Sequence, residues 1–189
     1  MSRRGLMVVG IDVGGERKGF HAVALQDRRF VALKKSAYPS ALVDWCLDHS
    51  ARIVAVDAPC AWSQAGSSRR AERELNTGGQ IIQCFKTPTR DRARKQGAEF
   101  YGWIFNGEKL YQRLALHYLL FDGTRRDGLV VFETFPHAVV CALAGKVVVE
   151  KPKATSRRKA LLDQGYDVSG LPNIDFVDAA LWEFRGHIT

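Results

Sequence analysis

Acidic residues stand in this chain where acids are costly. Asp12 follows the apolar run 6–11, Asp57 follows 53–56, and Glu133 follows 129–132. Asp175 and Asp178 lie three apart in an apolar, helix-like segment near the end. An unpaired buried carboxylate is expensive, and several brought together repel one another. A cluster that stays ionised needs a cation, and hard oxygen ligands suit Mg²⁺ or Mn²⁺. The chemistry open to such a site is metal-assisted attack on a phosphodiester.

The elements that must position these acids are legible from pattern. Runs 6–13, 19–25 and 30–34 read as strands, separated by the turns at Gly14-Gly15 and 26–29. Such short turns make an antiparallel meander. Residues 40–48 have helical spacing, with Leu42, Val43 and Leu47 on one side and Ser40 as N-cap. Run 52–57 suits a buried parallel strand reached by that helix. Residues 60–105 are polar and basic, too long for a plain connection, and read as an insertion with helical pieces at 69–76 and 91–101. A helix is expected over 107–121, with Leu110, Leu114, Tyr118 and Phe121 on one face and Asn106 as its cap. A strand at 129–134, a helix at 136–143 closed by Gly145, a basic loop at 151–158, a helix at 156–164 closed by Gly165 and a last helix at 174–185 complete the chain.

This order, a meander followed by a helix and parallel strands, describes an α/β ribonuclease H-like fold. It predicts a mixed five-stranded sheet, order 3-2-1-4-5, flanked by helices, with the basic insertion after strand four. Asp12 and Asp57 would be neighbours at the C-terminal edge of parallel strands, where open α/β sheets place their sites. A carboxylate from the last helix would complete the set. Asp175 and Asp178 are i and i+3 and face the same way. Ile174, Val177, Leu181 and Phe184 give that helix an apolar side. Asp178, beside the small Ala179-Ala180, is the favoured ligand; Asp175 is a second ligand or a partner of the helix dipole. Taken singly, Asp12 could cap its turn, Asp57 could form an Asx turn, and Glu133 could pair with an arginine.

Composition bounds the rest. The chain has 189 residues, 46% apolar and 25% charged, which fits one globular domain over 1–189 and excludes a disordered or fibrous chain. No stretch is long and apolar enough for a membrane span. The start of the chain lacks a signal-like apolar region, so a cytoplasmic location is expected. The four cysteines lack CxxC spacing, which argues against a zinc ribbon. Net charge is +8 and the sequence pI about 9.5, compatible with a polyanionic partner, nucleic acid first. The cations are bunched at 69–73, 86–95 and 151–159. Lys18, Arg69, Arg70 and Arg73 are candidate phosphate contacts, which position a strand without reading its sequence. Trp62, Tyr101 and Trp103 could stack on unpaired bases or simply pack in a core. DNA and RNA are not distinguished, and a homodimer is an open option.

Ordered short motifs support the same reading. They are Gly10-Ile11-Asp12-Val13-Gly14-Gly15 with Lys18-Gly19, Ala55-Val56-Asp57-Ala58-Pro59, and Arg70-Ala71-Glu72-Arg73-Glu74-Leu75. Then come Asn106-Gly107 with Leu110-Tyr111, Glu133-Thr134-Phe135-Pro136-His137-Ala138, and the segment 175–180. Together they resemble domain-of-unknown-function family 429, predicted nucleases with a ribonuclease H-like fold. The resemblance implies a metal-dependent nuclease similar to Holliday-junction resolvases and ribonuclease H. In that scheme Asp12 bridges two ions about 3.5–4 Å apart. Asp57 and Asp178 each hold one, and Glu133 or Asp175 completes a shell or orients water.

Three other readings compete. A basic nucleic-acid- or protein-binding module on the same fold would keep salt-sensitive binding without chemistry. The Gly-rich turn after the first strand also resembles the phosphate turn of sugar kinases and actin-like ATPases. Those proteins close two domains around ATP, and this chain has length for one. A thiol hydrolase would need Cys60 and His137 to meet. His21 reads as a core or surface histidine.

Overall fold

Apolar runs explain the two inner strands of the meander, and alternation explains its edge strand. β1 (Met7–Val13) is buried at six of its seven positions, so both of its faces are covered. β2 (Phe20–Gln26) is buried at six of seven, whereas β3 (Arg29–Ser36) alternates exposed with half-buried residues, as an edge strand should. The computed structural model describes residues 5–66, 68–75, 81–124, 128–149 and 152–181. Asn76, Lys151 and the last helical turns expected to 185, with Phe184, lie outside the described residues.

After β3 come α1 (Pro39–Asp48), β4 (Ile53–Asp57), α2 (Arg70–Glu74), α3 (Arg90–Gln96), α4 (Ala98–Leu114) and β5 (Leu119–Leu120). Then follow β6 (Val130–Glu133), α5 (Pro136–Ala144), α6 (Lys153–Asp163) and α7 (Ile174–Ala180). The sheet is mixed and six-stranded, order β3-β2-β1-β4-β6-β5. The meander β1-β2-β3 is antiparallel; β4 lies parallel to β1, and β6 parallel to β4.

Each face of the sheet has its own core. Val9, Ile11, Val54 and Val56 pack on one side with Leu42 and Cys46 of α1 and Leu110 and Leu114 of α4. Val8, Val23 and Ala55 pack on the other with Val140, Leu161, Phe176 and Val177 of α5, α6 and α7. Two phenol hydroxyls pin α4 and the turn after it along β4. Tyr118 Oη donates to Ala51 O at 2.9 Å and Tyr111 Oη to Ala58 O at 3.2 Å.

The structure corrects several sequence expectations. The sheet has six strands where five were expected, because Leu119–Leu120 adds a short parallel strand outside β6. The helix expected over 107–121 runs over Ala98–Leu114 instead. Tyr118 is still buried in the core, so the apolar spacing persists past the true helix end. Asn106 is therefore mid-helix and not a cap. The helical piece expected at 91–101 is two helices, broken at Gly97 with φ 94°. The expected basic loop at 151–158 is helical from Lys153.

Candidate metal centre

Strand register decides which side chains meet. Asp12 and Asp57 are register partners on adjacent parallel strands, so both project to the same face of the sheet. Asp12 also stands opposite His21 across the antiparallel β1–β2 pair. The facing helix is α7, which packs against β1, β2 and β4. Asn173 caps α7, its Oδ1 accepting from the amides of Asp175 and Phe176 at 3.1 and 3.3 Å. The apolar Phe176, Val177, Ala179 and Ala180 dock it on the sheet. Asp175 and Asp178 are thereby brought over the face that carries Asp12 and Asp57.

Asp12, His21 and Asp175 offer ligand atoms that all lie within 4.8 Å of one another, and the three could hold a metal ion. His21 is only 3% exposed and packs edge-on against Phe176, ring centroids 5.0 Å apart. Its Nδ1 is buried without a hydrogen bond among the described residues. It lies 3.9 Å from Asp12 Oδ2, and Nε2 lies 3.9 Å from Asp175 Oδ2. The reading of His21 as an ordinary core or surface histidine missed this placement. A signal was present: the turn at 14–19 sets Val13 opposite Phe20, which carries His21 opposite Asp12.

A lysine reaches into the same place. Lys18 Nζ lies 2.9 Å from Asp12 Oδ2 and 2.8 Å from Asp175 Oδ1. Its stem folds over Gly14, where a Cβ would meet the Lys18 side chain at 2.6 Å. Gly14 is held in turn by Asn106, whose Nδ2 donates to Gly14 O at 2.9 Å.

The electrostatics show acids crowded together. Burial pushes the Asp57 carboxyl well above its ordinary range, and the neighbouring Asp12 and Asp178 push it further. Burial raises Asp178 to about 6 against the pull of Arg157, whose Nη1 lies 2.5 Å from Asp178 Oδ1. Asp12 is raised by burial despite its Lys18 partner. Burial would lower the Lys18 pKa, but its bonds to Asp175 and Asp12 raise it overall. Burial lowers the His21 pKa, although Asp175 and Asp12 oppose the change, so the ring favours its neutral, metal-binding form.

The remaining candidates are placed elsewhere. Glu133 shares register with Val56, so it belongs to the opposite face from Asp57. There it takes a two-pronged contact from Arg69, Nη1 to Oε2 and Nη2 to Oε1 at 2.6 Å each, and accepts from Cys60 N at 2.9 Å. Arg69 also donates through Nε to Glu72 Oε1 at 2.7 Å. Arg70 is exposed and pairs with Glu74 at 2.6 Å, and Arg73 donates to Ser68 O at 2.9 Å. Cys60 and His137 are not joined by a described contact: His137 Nε2 lies 3.8 Å from Cys141 Sγ. Burial and then Glu133 push the Cys60 thiol up to about 11, the wrong direction for a nucleophile. Trp62 is tied inward, its Nε1 donating to Glu108 Oε1 at 2.9 Å.

No helix among the described residues is long and apolar enough to cross a membrane. No curated protein and no solved structure matches the chain. The chain belongs to the family described as "Protein of unknown function (DUF429)", whose model matches residues 10–187.

Proposed function

We propose that this member of the family is a metal-dependent phosphodiesterase, a nuclease on a ribonuclease H-like scaffold that uses Mg²⁺ or Mn²⁺. The observation that carries the reading is the register pairing of Asp12 with Asp57 beneath α7, which adds Asp175 and Asp178 to one face. The donor set fits a divalent cation. Burial, and the acids beside one another, raise the pKa of Asp12, Asp57 and Asp178, so a further positive charge among them would be favourable. Asp12 belongs both to the close group with His21 and Asp175 and to the acids beside Asp57, so it is the residue that would hold a cation from either side.

Bound metal would supply charge stabilisation and a nucleophile at neutral pH. The protein's residues do the remaining work. Asp12, Asp57 and Asp178 hold their carboxylates preorganised, because β1 and β4 are packed on both faces and α7 is docked on the sheet. Neutral His21 offers a lone pair beside Asp12. Lys18, 41% exposed, would be free to meet a substrate phosphate if a cation took its place between Asp12 and Asp175. Glu133 orders the wall by holding Arg69 and the Cys60 amide.

The test is a crystal soaked in Mn²⁺ and read by anomalous scattering, together with Asp178→Asn. The reading expects a peak beside Asp12 and a variant that binds nucleic acid nearly as well yet does not cleave it. Equal cleavage by the variant would remove the proposed chemistry. One observation favours a second reading, a binding module without chemistry: Lys18 and Arg157 already partner Asp12, Asp175 and Asp178. Absence of a manganese peak, with those ion pairs intact, would favour it.

A further inference from the structure

The basic segment before and within α4 carries apolar rings on the surface. Phe85 is 39% exposed and Phe100 60% exposed, unusual for large side chains with an available core. They belong to one aromatic group. Phe85 lies 5.8 Å from Phe100 and 5.4 Å, edge-on, from Trp103, by ring centroids. Tyr101 backs both phenyl rings and is fixed by its hydroxyl, which donates to Gln96 Oε1 at 2.8 Å.

Two features say what this patch takes. The first is location. Phe85 and Trp103 line a cavity of about 220 Å³ that Asp57, Arg69 and Glu133 also line, so Phe85, with Phe100 beside it, stands at an opening that reaches Asp57. That volume is below the ~300 Å³ of a typical small-ligand pocket. It suits one unit of a longer chain passing Asp57 better than a separate cofactor. The second is charge. Segment 81–105 holds five Lys or Arg against two Asp or Glu. Lys86 beside Phe85 is exposed, as are Arg92, Arg94 and Lys95 of α3, because Ala93 is the residue α3 turns inward onto α4. Exposed rings bordered by cations are complementary to a polyanion that carries flat apolar groups.

We propose that Phe85 and Phe100 form a stacking platform for unpaired bases, and that the substrate class is single-stranded nucleic acid or a single-stranded portion of a larger structure. The proposal rests on the phosphodiester reading of the carboxylate site and adds the form of the substrate. Aromatic faces stack on unpaired bases, whereas bases inside a duplex are already covered by their neighbours. The cations of α3 hold the backbone without reading sequence. Stacked at Phe85, a nucleotide directs its backbone toward Asp57 through the shared cavity.

The test is fluorescence anisotropy in EDTA, using a labelled single-stranded oligonucleotide and its blunt duplex as probes. Wild type is expected to prefer the single strand. Phe100→Ala should weaken single-strand binding about tenfold and leave duplex binding and its salt dependence unchanged. Phe100→Trp should restore binding, an outcome that a merely structural role would not produce. Equal affinity for both probes, or no loss in Phe100→Ala, overturns the proposal. So does a concentration-dependent dimer that Phe100→Ala abolishes, which would give the patch to a second copy of this chain. Because binding in EDTA needs no metal, its failure is separate from that of the carboxylate reading, which the manganese soak decides.

Discussion

Lys18 and Asp12 form an ion pair inside the group of atoms that could hold a metal: Nζ to Oδ2 is 2.9 Å, and the same ammonium is 2.8 Å from Asp175. The Lys18 side chain is 41% exposed while that of Asp12 is 9% exposed. One partner can therefore leave for solvent cheaply and the other cannot.

Lys18→Met tests competition for that place. In EDTA the variant should unfold at lower temperature, by the equivalent of about 1 kcal/mol, because the lost pair is half in solvent. Mn²⁺ should then raise its melting temperature more than it raises that of wild type, since the ion no longer displaces an ammonium. Equal manganese shifts in the two proteins would show that lysine and metal do not share the carboxylates.

The raised Asp178 pKa sets a pH dependence with a definite sign. Its folded value of about 6 exceeds the unfolded 3.8, so the native state binds the extra proton between them. That contribution is fully present below the unfolded value and is lost as pH rises through about 6. In metal-free protein, the stability difference between wild type and Asp178→Asn should therefore shift against wild type from pH 4 to pH 7, by on the order of 2 kcal/mol. Urea unfolding across that range measures it. A difference that stays flat would mean Asp178 is not a crowded acid.

Arg69 separates a structural role from phosphate contact. It is the counter-charge of Glu133 and bonds the 5%-exposed Glu72, which Thr87 and the residue-69 amide also hold, so Arg69→Met removes a part-buried ion pair and should cost about 2–4 kcal/mol in urea unfolding. Arg69→Lys should recover little, because an ammonium cannot reproduce the two-pronged contact with Glu133. Unchanged stability with weakened nucleic-acid binding would instead assign Arg69 to the phosphate backbone.

Gly107 tests how closely α4 must approach β4. A Cβ there would meet Ala58 Cβ at 2.7 Å, directly after Asp57. Gly107→Ala should destabilise by about 1–3 kcal/mol through overpacking. It should also weaken Mn²⁺ binding, measured by calorimetry, by moving the end of β4. Wild-type manganese affinity in a destabilised variant would show that the Asp57 position does not depend on this contact.

Local pattern explains what was legible early. Apolar runs and short turns specify β1 and β2, alternation specifies β3, and an apolar run ended by an acid specifies β4, because these signals act over a few neighbouring residues. Asp12 and Asp57 were found for that reason: each interrupts a run that would otherwise be wholly apolar. The C-terminal end of α4 is not written in the sequence, because apolar spacing continues past Leu114 to Tyr118 and periodicity carries no stop signal there. β5 has no sequence signal, because two residues have no period.

The sequence by itself determined the strand order of the meander, the helical character of 174–180 and the acids worth following. Tertiary structure decided who keeps them company. Register across β1 and β2 put His21 beside Asp12. The fold of the turn at 14–19 sent Lys18 back onto Asp12 and Asp175. Packing of α6 on α7 delivered Arg157 to Asp178, and the basic segment spent Arg69 on Glu133. Side-chain pairings between distant segments depend on the three-dimensional path of the backbone, and a charge reveals its partner only when that path closes.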